Sequence, residues 1–185
     1  QEPDEGIWET RGGRQHFVFS KVMCWVAMDR AIKAATDLGL PGDVEVWKKV
    51  REEIRAEIME KGFSVGRQAF VQSYGSTNLD AANLMLPLVG FLSAKDPKMR
   101  STIKAIQSDL TSPQGFVYRY TDFDDGLGGK EGSFTICTFW LADNLIQLGE
   151  VDEARKLFDT AMGCANDLGL LSEEFDTVTG AMLGN

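Results

Sequence analysis

The chain has 185 residues with 28 acidic and 19 basic side chains, a formal charge of −9 and a single histidine. That balance argues against nucleic acid or an anionic membrane as partner, since both select basic patches, and 43% apolar with 25% charged residues excludes disordered and fibrous classes. The longest uncharged apolar run, Val22 to Met28, falls far short of the roughly 20 residues of a bilayer helix, so no membrane span is expected.

Apolar residues at three- and four-residue spacing predict helices over 17–38, 43–61, 79–93, 97–111, 132–148 and 151–168, with little left for strands. Gly39-Leu40-Pro41-Gly42 ends the first, Lys61-Gly62 the second, Thr111-Ser112-Pro113 the fourth and Leu148-Gly149 the fifth. Asp43 and Ser133 are candidate N-caps. Trp25, Trp47 and Trp140 fall inside helices and read as core, and His16 reads as a helix-entry residue. Cys24, Cys137 and Cys164 are widely spaced in apolar stretches, which suggests buried reduced thiols, and no signal-peptide pattern opens the chain. A cytoplasmic location is expected.

Charge alternates from helix to helix. Residues 17–28, 79–93 and 132–148 hold one charge each, whereas 43–61 hold eleven and 95–110 and 150–162 hold six each. The first, third and fifth helices should therefore be buried all round and their partners wet on one side, which is the pattern of three stacked α-hairpins in two layers. Residues 1–16, 62–78 and 112–131 each lead into an inner helix, so these long loops should share one face with the tail from Leu170.

Several motif searches fail. Gly126-Leu127-Gly128-Gly129-Lys130 lacks phosphate-loop spacing, Asp122, Asp124 and Asp125 are out of register for a calcium loop, and the lone His16 cannot build a Ser/His/Asp triad. No metal or other cofactor is expected. What survives is a pair of carboxylates on the loop face: Glu9 beside Trp8, and Glu173 in Ser172-Glu173-Glu174-Phe175. Glycoside hydrolysis needs one protonated and one ionised carboxyl, and an apolar ring against Glu9 favours its protonated form.

The order of motifs supports this chemistry. Asp4-Glu5-Gly6-Ile7-Trp8-Glu9, followed by Arg11-Gly12-Gly13, His16-Phe17 and Ser20-Lys21, resembles the general-acid segment of the glucoamylase-like glycoside hydrolases of family 15, particularly prokaryotic ones. Leu79-Asp80-Ala81-Ala82-Asn83-Leu84, Gly115-Phe116-Val117-Tyr118-Arg119-Tyr120 and Glu131-Gly132-Ser133-Phe134 are similar to later parts of that catalytic domain, and 166–176 to its general-base segment. The resemblance implies an all-α fold, the (α/α)6 toroid, and inverting hydrolysis of terminal α-glucosidic bonds in neutral oligo- or polysaccharides. It makes Glu9 the general acid and Glu173 the general base, their carboxyls roughly 6.5–9.5 Å apart. It also makes Trp8, Arg119, Tyr120, Glu131 and Phe175 sugar-binding residues. Thr10 stands where fungal glucoamylases carry a second acid, which leaves α-1,4, α-1,6 and trehalose linkages open.

Three hairpins are half of a six-hairpin ring. The expectation is therefore a partial catalytic domain over 1–185, inactive alone and self-associating through open edges at Val22, Trp25, Val26, Phe139 and Trp140. The alternatives are a non-catalytic α-helical repeat scaffold, suggested by the tetratricopeptide flavour of 148–161, and a different toroid enzyme such as a lyase or phosphorylase. The former lacks a recurring copy, and Glu173 stands where a phosphorylase would need a phosphate site.

Overall fold

The structure, a computed structural model, describes residues 2–8, 12–120 and 132–184. Three helical hairpins lie side by side. The first pairs α1 (Val18–Leu38) with α2 (Val44–Lys61), and the last pairs α5 (Thr135–Leu148) with α6 (Val151–Met162). Between them, a 3-10 turn (Ala81–Leu84) running into the short α3 (Met85–Leu88) touches both α1 and α5, with α4 (Pro97–Asp109) outside it. Among the described residues, five two-residue strands make a hairpin, β1 (Phe63–Ser64) with β2 (Ala69–Phe70), and a sheet of β3 (Ser133–Phe134), β4 (Glu174–Phe175) and β5 (Met182–Leu183) in that order, all antiparallel.

Punctuation works largely as the residues dictate. Gly39 and Gly149 end α1 and α5 in the left-handed region at φ 67° and 88°, and the Asp43 carboxylate caps α2 by accepting from the Val46 N–H at 3.2 Å. The two layers follow the charge pattern: α5 buries seven of its 14 residues against two of 12 in α6, and α1 six of 21 against two of 18 in α2. One core runs from Val22 and Trp25 through Leu84, Leu86, Phe91 and Ile103 to Leu141 and Leu145. No helix among the described residues is long and apolar enough to cross a membrane.

Four expectations need correction. The helix expected over 79–93 is shortened to the 3-10 turn Ala81–Leu84 and the α-helix Met85–Leu88, because Asp80 is extended and bridged to Tyr120, Pro87 offers no N–H to a helical ladder, and Gly90 takes a positive φ of 82°. Ser133 is not an N-cap: it lies in β3, where its hydroxyl donates to the Phe175 carbonyl at 2.9 Å, and α5 starts two residues later. The last helix stops at Met162, and the Asn166 side chain then turns the chain by accepting from the N–H groups of Leu168 and Leu170 at 3.0 and 2.9 Å. Finally, α1 and α5 are not buried all round, since Met23, Cys24, Ile136 and Ile146 face solvent. Of the thiols only Cys137 is buried, and none of the three forms a disulfide among the described residues.

Candidate active site

The long loops are knitted together on one face by backbone bridges: Asp4 with Gln15, Phe17 with Ser73, Asp80 with Tyr120, and Thr111 with Val117. The Phe134 N–H adds a bond to the Val117 carbonyl at 2.9 Å, which ties the third loop to the start of α5. Three segments converge there.

The first is the N-terminal loop. Asp4 accepts from the Gly6 N–H at 2.8 Å and the Ser20 hydroxyl at 2.7 Å, while the buried Lys21 ammonium donates to the Glu2 carbonyl at 2.5 Å and lies 3.5 Å from the Asp4 carboxylate. Gly6 is required at the turn, with φ 76° and the Phe17 ring 3.1 Å from where a Cβ would stand. This clamp delivers Ile7 and Trp8 to the site. The second segment, 117–120, alternates sides, sending Arg119 one way and Tyr118 the other, where the Tyr118 hydroxyl meets that of Thr177 at 3.1 Å.

The third segment is β4 and the residue before it. Pairing of Ser133 with Phe175 and of Phe134 with Glu174 carries the tail across the mouth of α5, and the Thr135 N–H bonds the Glu173 carbonyl at 3.0 Å. Behind Glu173 lies Gly184, at φ 73°, where any Cβ would come within 2.9 Å of the Glu173 carboxylate. A glycine there leaves the carboxylate its place.

Together these segments enclose a cleft of about 430 Å³ lined by Ile7, Trp8, Arg119, Phe134, Ile136, Trp140 and Glu173. The Trp8 ring meets Phe134 edge-on at 5.2 Å and tilts against Trp140 at 6.1 Å. The Arg119 guanidinium lies 5.0 Å from the Phe134 ring centre, 5.8 Å from that of Trp8 and 5.4 Å from that of Tyr120, and pairs with Glu174 at 3.2 Å. Beneath Trp8, the buried Asp80 carboxylate accepts from the indole N–H at 2.9 Å. Burial pushes the Asp80 carboxyl up to about 6, against the pull of the indole, the Ala82 N–H, the Gln72 side chain and the Arg119 charge. The arrangement offers apolar ring faces, a cation and an accessible carboxylate in one hollow, which is what a neutral polyhydroxyl ligand and an attacking water need.

Of the expected site residues, Trp8, Arg119 and Glu173 meet in this cleft, and Tyr120 lies buried beside Arg119. Phe175 instead lies tilted against Phe116 at 4.9 Å, on the side of β4 opposite Glu174. Glu9 and Glu131 lie outside the described residues, as do the glycine run 126–130 and Asp122, Asp124 and Asp125. His16 stacks on Tyr74 at 5.7 Å. Sequence reasoning missed Asp80, Phe134 and Trp140 as site residues. The only signal for Asp80 was a lone charge in an apolar run, and Trp140 looks like any core tryptophan until β3 opens the first turn of α5. Among the described residues, no cluster of three or more His, Cys, Asp or Glu could hold a metal.

The family model of glycosyl hydrolases family 15 matches residues 1–185. The chain is 44% identical over 183 residues to a trehalase of Thermoplasma volcanium, which covers 99% of this chain and 29% of that protein. It is 46% identical over 187 residues to a trehalase of Mycobacterium tuberculosis, covering 100% of this chain and 27% of that protein. The chain thus spans less than a third of the length of these relatives. Among solved structures, a glycosidase variant in complex with glucose superposes with a TM-score of 0.81 at 19% identity, over 94% of this chain and 45% of that one. A glucoamylase from Saccharomycopsis fibuligera gives 0.70 at 12% identity, over 96% and 53%. At such identities the likeness establishes the fold: the three hairpins are part of an α/α toroid.

Proposed function

The chain belongs to glycosyl hydrolase family 15, and from that premise we propose that it carries both catalytic carboxylates of an inverting α-glucosidase whose substrate is trehalose. One observation carries this reading: Glu173 and Trp8, the residue bonded to Glu9, line the same cleft although they lie at opposite ends of the chain. In the proposed reaction Glu9 gives its proton to the glycosidic oxygen as the bond to the anomeric carbon breaks. Glu173 takes a proton from the water that attacks that carbon on the opposite face. Trp8, with Phe134 and Trp140, presents ring faces to the sugar, and Arg119 donates to its hydroxyls. Tyr120, against Arg119, belongs to the same subsite, whereas the Phe175 ring packs against Phe116.

Trehalose is chosen over other α-glucosides because relatives carrying that name share 36–46% identity with nearly the whole chain. The test is hydrolysis of trehalose, maltose and isomaltose by the complete gene product, with the first-formed anomers followed by proton NMR. Inversion releases one α- and one β-glucose from each trehalose; two α-glucoses would mean retention and overturn the mechanism. A preference for maltose would overturn the substrate.

A further inference from the structure

Asp80 is a buried carboxylate on which the 3-10 turn, the Trp8 loop and the Gln72 side chain converge. It is extended at φ −143° and ψ 126°, and one oxygen, Oδ1, accepts both from the Ala82 N–H at 2.8 Å, which opens the 3-10 turn, and from the Trp8 indole N–H at 2.9 Å. A neutral serine would cap Ala82 as well without the cost of burying a charge, but it is too short to reach the indole. The turn itself is rigidly held. The Asn83 amide donates to the Phe70 and Val71 carbonyls at 3.3 and 3.0 Å, and Asn144 donates to the Leu84 carbonyl at 2.8 Å. The Trp8 ring also meets Phe134, Trp140 and the Arg119 guanidinium, contacts with little directional preference within the ring plane. The N–H bond to Asp80 is directional and sets the orientation of the indole among them.

We propose that Asp80 is a positioning residue of the hydrolytic site, anchoring the Trp8 indole within the ring cluster that presents its faces to the sugar. This rests on the reading of the cleft as a glycoside-hydrolysing site. A displacement of about 1 Å in a substrate-positioning group lowers the rate about 100-fold, so the anchor should act on kcat.

The test uses the complete gene product acting on trehalose. Asp80→Ser keeps the turn cap but is too short to reach the indole, and kcat should fall about 100-fold with KM little changed. Asp80→Asn, which retains the acceptor oxygen, should restore most of the loss. Asp80→Ser combined with Trp8→Phe should be no worse than Trp8→Phe alone, because both remove the same bond. Wild-type kcat in Asp80→Ser, or losses that multiply in the double variant, would overturn the proposal. Where Asp80→Ser does not fold, the Trp8 indole N–H resonance, identified by its absence in Trp8→Phe, decides the matter in Asp80→Asn. It should move upfield as the charged acceptor is lost, and an unchanged resonance overturns the anchor. A wild-type protein inactive on every α-glucoside would instead defeat the hydrolase reading, leaving the resonance shift to report the bond itself.

Discussion

Asp80 has a consequence for stability that separates it from its role in the cleft. Its ordinary value is 3.8 and burial raises it to about 6, so the folded chain holds this proton more tightly than the unfolded chain does. The sign follows: the contribution favours folding below pH 3.8 and is lost as pH rises from there to about 6. Thermal melts across that window should show a falling contribution in the wild type and a flatter profile in Asp80→Asn; a wild-type profile that rises with pH by the same amount as the variant's would contradict the burial argument. The reacting carboxyls predict something different. Glu9→Gln should lower hydrolysis of trehalose by about 10²–10⁴-fold, the range of a lost general acid, while sparing α-glucosyl fluoride, whose leaving group needs no proton. Equal loss on both substrates would remove Glu9 from that role. At this scale Trp8 and Glu173 stood out in the sequence because their chemistry is unusual for their surroundings, and the structure sets both in one cleft. Trp140 was illegible because a tryptophan on an apolar helix has the same local signature whether it lines the core or a cleft.

Element boundaries were decided by where backbone groups find partners. The charge alternation revealed the two layers because outer helices must meet water, and this holds whatever the detailed geometry. The segment 79–93 and the start of α5 were misread for one shared reason: an apolar run suits a buried turn or strand as well as a buried helix, and only the long-range partners Tyr120 and Phe175 distinguish them. A second such partnership joins β2 to α4. The buried Thr102 hydroxyl accepts from the Phe70 N–H at 2.9 Å while donating to the Lys98 carbonyl at 2.7 Å. Thr102→Val keeps the shape and strands the Phe70 N–H without an acceptor, so unfolding in urea should show a loss of about 1–3 kcal/mol. A change within error would mean that β2 shifts to find another acceptor. The Asp29 carboxylate joins α1 to α2 in a comparable way, lying 3.2 Å from Arg51 and 2.8 Å from Lys33. Burial works against its charge, but Lys33 and Arg30 hold it below its ordinary value, so this contribution is present at neutral pH and fades on acidification.

For the whole molecule the question is which apolar surface remains uncovered. The edge expected at α1 is closed within the chain, since Val22 and Trp25 are buried against α2 and Phe91, the latter ring meeting Trp25 edge-on at 5.2 Å. The open face lies on the other hairpin. Ile146, Val151 and Phe158 are 56%, 50% and 49% exposed around a groove of about 520 Å³ between α5 and α6, with Phe139 and Ala142 at its floor. Covering each such side chain is worth about 1.5–3 kcal/mol, comparable in sum to the stability of a domain. The rim carries Asp143 and Asp159 on one sign and Arg155 on the other, so two copies related by a two-fold axis can set each arginine against the other's carboxylates. Expressed by itself, the chain is expected to pair through this face. Sedimentation equilibrium should report a dimer at micromolar concentration, and Phe158→Lys should shift it to monomer by placing a charge in the groove while the outer helix stays folded. A wild-type chain that is already monomeric, or a Phe158→Lys chain that still dimerises, would mean that the groove is not where the copies meet.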